Sequence, residues 1–95
     1  MDLIPAPVVP AVVTLTETPV ARRVADLLGA PLHARAGRVA GDVAFEDASE
    51  HLRALFSAGT PIVALCAAGI VVRALAPLLG SKREEPPVLA LAPDG

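Results

Sequence analysis

A single arginine interrupts the most apolar stretch of the chain. Residues 66–79 read CAAGIVVRALAPLL, and Arg73 is the only charged residue among them. It follows Gly69 by four residues, a spacing that places both on one face of a helix. A guanidinium can hold a carboxylate through two parallel hydrogen bonds. On spacing alone, an ion pair with an acid of this chain or of a partner is the more common explanation, and a ligand carboxylate is the second.

Two short loops follow apolar runs that are typical of strands. The sequence TETP (16–19) follows the first run, and AAG (67–69) follows the central run. Each loop opens a predicted helix, whose free N–H groups and dipole favour an anion. In open α/β sheets, ligands bind beyond the carboxyl ends of the strands, where the strand order reverses. If the two strands are neighbours, one notch forms, although AAG alone is not a glycine-rich fingerprint. The predicted substrate contacts are Thr16, Thr18, Ala67, Ala68, Gly69 and Arg73.

The other reactive side chains give weaker signals. Cys66 lies at a predicted strand end, where a buried, inert thiol is more common than a nucleophile. His33 and His51 are distant in sequence and are expected to be surface or packing residues. Lys82 is the sole lysine beside seven arginines and is a peripheral candidate for a carboxylate. No catalytic triad, carboxylate pair or metal-ligand spacing is visible, so the catalytic residues stay unassigned and no metal or cofactor is expected.

Composition limits the class of protein. The chain has 95 residues, a net charge of −2, 2% aromatic residues and one cysteine. Without a basic stripe or stacking rings, nucleic-acid binding is not expected. A lone cysteine excludes an intrachain disulfide and fits a reducing cytoplasm. Residues 1–10 carry Asp2 and three prolines, which oppose a secretory signal and indicate an extended lead-in.

Residues 61–79 are about as long as a membrane span, but Arg73 near the middle would cost ~2.5–3.5 kcal/mol on insertion. Gly69 and Pro77 interrupt the run as well. A buried strand followed by a buried helix explains the segment better. No membrane partner is therefore expected. Because the helix is apolar nearly all round, its outer face is expected to contact another domain or subunit, or a second copy in a homodimer.

Strand and helix patterns alternate along residues 11–95. Thr18 and Pro19 are typical of a helix start, with Gly29 at its end, and Asp47 begins a second helix that Gly59 ends. The weakly patterned residues 36–46 are a loop or a frayed extra strand. The order predicts a small three-layer Rossmann/flavodoxin-like α/β domain, with a mostly parallel four-stranded sheet and three helices. The predicted strands are 11–16, 31–35, 61–66 and 87–92, and the third helix is about 70–79.

Residues 55–95 combine these features in a familiar order: an F-x-x-x-x-x-I-V pattern, a small-small-Gly-Ile-x-V-R turn, then A-P-L-L-x-x-K, an acidic-Pro pair and an acidic-Gly turn. This order resembles the N-terminal domain of the cobalamin-biosynthesis cobalt-precorrin-5A hydrolase family, which also occurs fused to precorrin-3B C(17)-methyltransferase. The matching positions are Phe56, Ile62, Val63, Ala68, Gly69, Ile70, Val72, Arg73, Ala76, Pro77, Leu78, Leu79, Lys82, Glu85, Pro86, Asp94 and Gly95. Pro87 and Val88 depart from the family's small-apolar pair. The family continues into a glycine-rich Ser-Gly-His segment, whereas this sequence stops at Gly95.

The resemblance implies a substrate class. Such hydrolases open the δ-lactone of cobalt-precorrin-5A, a porphyrin-related tetrapyrrole fringed with acetate and propionate groups, and release a two-carbon aldehyde. This chain would then be a substrate-binding part that acts with C-terminal domains or a partner subunit and is inactive alone. The alternative is a non-catalytic docking or oligomerisation domain.

Overall fold

The computed structural model describes residues 9–16, 18–37, 41–79 and 85–92. Within these ranges, five strands alternate with three α-helices. In chain order they are β1 (Ala11–Thr14), α1 (Pro19–Leu28), β2 (Leu32–Arg35), β3 (Val43–Phe45), α2 (Ala48–Ser57), β4 (Ile62–Leu65), α3 (Ala68–Leu75) and β5 (Val88–Leu91). A short 3-10 turn, Ala76–Leu78, continues α3.

The first two helices begin where the capping residues predict. The Thr18 side chain accepts a hydrogen bond from the Val20 amide at 3.3 Å, and Pro19 holds the first helical position of α1. Gly29 ends this helix with a φ of 60°, a conformation that glycine adopts without steric cost. The Asp47 carboxylate accepts from the Glu50 amide at 3.0 Å and caps α2. Local side-chain chemistry therefore sets both starts.

The five strands form one parallel sheet in the order β3-β2-β1-β4-β5. The α/β class and the parallel sheet are thus confirmed. After β3 the chain crosses back over β2 and β1 to add β4 on the other side of β1, so the order reverses between β1 and β4. All four residues of β1 are buried, as expected for a central strand that is covered on both faces.

The sheet has one strand more than the four predicted. The additional strand is β3, which lies within the weakly patterned residues 36–46 and pairs with β2. Gly41 allows this pairing, because a Cβ there would stand 2.7 Å from the Ala34 Cβ and 2.9 Å from the Leu32 carbonyl oxygen. Phe45 is 6% exposed and anchors the strand in the core. A glycine that weakens the sequence pattern is therefore the residue that permits the strand.

The third helix is also shifted from its predicted range of about 70–79. It starts two residues earlier, at Ala68, and its regular part ends at Leu75. Pro77 lies in the following 3-10 turn, and proline has no amide hydrogen for an α-helical hydrogen bond. The apolar segment 61–79 thus divides into β4, α3 and this turn. In the described part of the chain, no helix has the length and apolarity needed to cross a membrane.

Two apolar clusters lie on opposite faces of the sheet. On one face, α1 packs Ala21 and Ala25 against Val12, Leu32 and Leu65. On the other face, α2 and α3 cover the sheet with the larger cluster, which contains Leu52, Phe56, Ile62, Val71, Ala74 and Leu75. The three-layer arrangement fixes the strand ends, and with them the loops that could receive a ligand.

Candidate functional site

The two loops of interest leave the sheet side by side. β1 and β4 are neighbours, and their register runs from Ala11 opposite Ile62 to Thr14 opposite Leu65. Because the strands are parallel, the residues after Thr14 and after Leu65 emerge at the same edge. We call the arrangement of Thr16, Thr18, Ala67, Ala68 and Gly69 the switch-point notch. It lies where doubly wound sheets bind ligands.

A buried threonine shapes the first loop of the notch. Thr14 is fully buried, and its hydroxyl donates a 2.7 Å hydrogen bond to the Thr16 carbonyl oxygen. This bond satisfies the buried hydroxyl and fixes the turn that follows β1. Thr16 itself is exposed, whereas Thr18 serves as the cap of α1. The sequence pattern did not single out Thr14, because a threonine in an apolar strand is common.

The second loop presents a helix start without a side-chain cap. Ala67 is the N-cap of α3, and its methyl side chain forms no capping hydrogen bond, in contrast to Thr18 at the start of α1 and Asp47 at the start of α2. Ala67, Ala68 and Gly69 are all exposed. A Cβ added to Gly69 would meet no atom within 4 Å, so open space lies beside this backbone. The first amides of α3 are therefore accessible to an external acceptor.

Cys66 sits directly beneath this loop and is 6% exposed. Burial raises the pKa of its thiol above the ordinary value, so the neutral form is favoured. A buried, protonated thiol is a poor nucleophile.

Arg73 lies beside the notch rather than inside it. It occupies the last turn of α3, so its Cα is about 9 Å along the helix axis from Ala67, given a rise of about 1.5 Å per residue. Its side chain is exposed, and among the described residues it forms no ion pair. Gly69 lies one turn earlier on the same outward face. A ligand that reaches both the first amides of α3 and Arg73 must therefore extend along this face. Lys82 lies outside the described residues.

An apolar cleft adjoins the notch. Its volume is about 340 Å³, and it runs between α3 and β5. Ala68, at the start of α3, lines the cleft and also belongs to the notch. Val72, Leu75, Val88 and Ala90 give the cleft apolar walls, and Glu85 is its charged member. One surface therefore combines accessible amides with a neighbouring apolar groove.

The structure also joins two histidines that the sequence treats as unrelated. His33 Nδ1 and His51 Nε2 are 2.7 Å apart, which makes a hydrogen bond between β2 and α2. The ring of His51 stacks on Phe45 with centroids 4.6 Å apart. His51 also lines a second cleft, of about 450 Å³, together with Glu46, Asp47 and Glu50. No sequence spacing predicts this pair, because it depends on how α2 is placed over the sheet.

The described part of the chain contains no group of three or more histidine, cysteine, aspartate or glutamate residues that could hold a metal ion. Elsewhere on the surface, Asp42 accepts hydrogen bonds from the Leu32 amide at 2.8 Å and from Arg22 at 3.1 Å. These two bonds lower the pKa of the Asp42 carboxyl, with the Leu32 amide as the larger cause. Asp42 therefore links α1 to the start of β2 and serves the fold.

The fold and the notch define a doubly wound α/β domain with its candidate site at the switch point. Residues 50–95 match the family model described as cobalamin synthesis G N-terminal. This segment is therefore similar to that family, the resemblance found in the sequence is confirmed over these residues, and a role in cobalamin biosynthesis is supported. The match covers α2 from Glu50 onward, β4, α3 and β5, and thus the second loop of the notch, whereas β1 and the first loop lie outside it. Neither the curated proteins nor the solved structures gave a match.

Proposed function

We propose that this chain is the N-terminal substrate-binding part of a cobalamin-biosynthesis enzyme of the cobalt-precorrin-5A hydrolase type, or of its fusion with precorrin-3B C(17)-methyltransferase. The observation that carries the proposal is the uncapped start of α3, which opens beside the β1 loop at the switch point. The family match supports the pathway, and the geometry supports the kind of ligand. The proposal assigns binding, not catalysis, to the notch.

The chemistry of a tetrapyrrole fits this surface. A peripheral carboxylate would accept hydrogen bonds from the first amides of α3, where the helix dipole also favours negative charge. Arg73, the only charged residue of α3, would pair with a second carboxylate further along the outward face. The apolar cleft beside Ala68 would cover part of the macrocycle or its methyl groups. A ligand with several carboxylates around a broad apolar ring is thus a better match than a small single anion.

The test is a titration with cobyrinic acid, a corrin with free carboxylates, followed by its visible absorbance. The fully esterified corrin serves as the ligand control, because it keeps the ring and removes the charges. We expect saturable binding of the acid and at least tenfold weaker binding of the ester. Binding of both forms with equal affinity would refute the anion site.

Two variants locate the site. Gly69→Ala adds a methyl group where nothing lies within 4 Å, so folding should be preserved while close approach of a ligand is blocked. Arg73→Ala should weaken binding several-fold, and Arg23→Ala removes the same charge from an exposed position on α1 as a matched control. If Gly69→Ala and Arg73→Ala bind cobyrinic acid as the wild type does, the ligand does not occupy the notch.

A second candidate function is docking without catalysis. It is favoured by exposed apolar side chains on α3 and just after the turn that follows it, where Ile70, Val72 and Leu79 are 37%, 60% and 47% exposed. In this case Arg73 would pair with an acid of the partner. Sedimentation across a concentration series separates the two functions, with Ile70→Ser as the variant because Ile70 does not line the cleft. Self-association that Ile70→Ser abolishes, together with no corrin binding, would favour docking.

A further inference from the structure

A pair of imidazoles joins the sheet to the helix layer above it. His33, in β2, is 8% exposed, and its Nδ1 lies 2.7 Å from Nε2 of His51 in α2. The His51 ring also stacks on Phe45 of β3, with an angle of 11° between the ring planes. We propose that this pair is a pH-sensitive clasp, which holds α2 against β2 and β3 while it carries no more than one extra proton.

The limit of one proton follows from the hydrogen bond itself. The contact requires an N–H on one facing nitrogen and a lone pair on the other. A first extra proton can bind at an outward nitrogen of the donor ring, and the bond persists with a charged donor. A second proton must occupy the accepting nitrogen, which leaves two N–H groups and two positive charges facing each other. The two rings therefore titrate as a coupled unit rather than as independent groups.

The environment of the pair determines whether the pKa values of the two histidines are raised or lowered. Burial lowers the pKa of His33 first, the charge of His51 lowers it further, and Asp42 opposes both. Burial also lowers the pKa of His51. The elements that carry or contact the pair bear six further charged residues: Arg35 at the end of β2, Asp42 before β3, Glu46 and Asp47 after β3, and Glu50 and Arg53 on α2. Although four of these six groups are acids, the net effect on both histidines is a lowered pKa.

The lowered pKa values fix the sign of the pH dependence. Both histidines of the unfolded chain have a pKa of about 6.5. Below that pH the unfolded chain binds more protons than the folded chain, so stability is full above about pH 6.5 and declines as the pH falls toward the folded pKa values. If the unfolded chain binds one proton more than the folded chain, the equilibrium constant for unfolding rises about tenfold for each unit by which the pH falls.

Breaking the contact between the two histidines would also affect α3. Two residues after His51, Arg53 donates a hydrogen bond from its Nε to the Ala74 carbonyl oxygen at 2.9 Å. This bond ties α2 to the last turn of α3, next to Arg73. Movement of α2 away from β2 therefore acts on the helix that carries the proposed ligand contacts. The inference does not depend on those contacts, since the clasp is defined by its own geometry.

The chain has two histidines, so both imidazole signals can be followed by NMR between pH 7.5 and 5. This range brackets the ordinary histidine pKa of about 6.5 and lies above the ordinary values of about 3.9 and 4.3 for Asp and Glu in model peptides. We expect midpoints below 6.5, and signals of each ring that respond to the protonation of the other. Urea unfolding should show an unfolding constant that rises about tenfold per pH unit below about pH 6. Independent titration of both rings near 6.5 would overturn the proposal, and this readout needs no variant.

His51→Gln provides the second measurement. A glutamine amide can still hydrogen-bond to His33, but it does not titrate. The unfolding constant of this variant should depend on pH less steeply than that of the wild type, and the His33 signal should titrate as a single group. An unchanged pH dependence in His51→Gln would show that the pair does not control stability.

Discussion

Gly41→Ala should destabilise the protein by separating β2 from β3. An added Cβ would stand 2.7 Å from the Ala34 Cβ and 2.9 Å from the Leu32 carbonyl oxygen. Optimal separation between carbon atoms is about 3.5–4.0 Å, so the overlap with Ala34 is about 1 Å. Neither neighbour is the end of a flexible side chain, and the backbone must therefore move. Overpacking of this kind costs about 1–3 kcal/mol.

The movement would also disturb the contacts that hold β3. The Asp42 amide donates to the same Leu32 carbonyl oxygen at 2.8 Å, and the Asp42 carboxylate accepts from the Leu32 amide. For a domain of this size, a loss of about 1 kcal/mol lowers Tm by roughly 4–8 °C. Thermal unfolding followed by circular dichroism measures this shift directly.

Gly69→Ala is the matched control for this experiment. The same methyl group at Gly69 meets no atom within 4 Å, and alanine is the better helix former. Its Tm should equal or exceed that of the wild type. If Gly41→Ala unfolds at the wild-type temperature, then β3 is not packed against β2 as described, and the five-stranded sheet is refuted.

Two further predictions concern the loops. Thr14→Val keeps the shape of the side chain but removes the 2.7 Å hydrogen bond to the Thr16 carbonyl oxygen. The free energy of unfolding, measured in urea, should fall by about 0.5–1.5 kcal/mol, and cobyrinic acid should bind more weakly. A variant with wild-type stability would show that this hydrogen bond is dispensable. Asp42→Asn should make the fold less sensitive to acid. The lowered pKa of Asp42 means that its ionised carboxylate stabilises the folded chain at pH values above about 3.8, its ordinary pKa, and that this stabilisation is lost as the pH falls further. Equal acid-unfolding midpoints for Asp42→Asn and the wild type would contradict that linkage.

The sequence predicts most of the fold because its signals are local. Thr18, Pro19 and Asp47 mark helix starts by chemistry that acts within three residues, and alternation of elements implies a parallel sheet. The strand β3 is less predictable, since its three residues have little pattern of their own. It exists because Gly41 permits close approach to β2 and Phe45 is buried against α2, and the elements contacted, β2 and α2, lie elsewhere in the chain.

The candidate site likewise has one part that the local sequence encodes and another that it does not. The sequence predicts the loop at Ala67–Gly69, because a strand, small residues and a helix follow one another directly. The place of Arg73 within α3 depended on where the helix ends, and the end at Leu75 rather than at about residue 79 puts the arginine in the last turn. The contact between His33 and His51 depends on the placement of α2, which no short-range pattern encodes.

The central position of β1 has a consequence for synthesis of the chain. One edge of β1 pairs with β2, which emerges from the ribosome soon afterwards, but the other edge pairs with β4, from Ala11 opposite Ile62 to Thr14 opposite Leu65. A nascent chain therefore carries a mostly apolar strand with one unpaired edge until Leu65 has been translated. During that interval β1 is the segment most exposed to mispairing and to capture by chaperones, and slow codons between α1 and β4 would prolong the exposure.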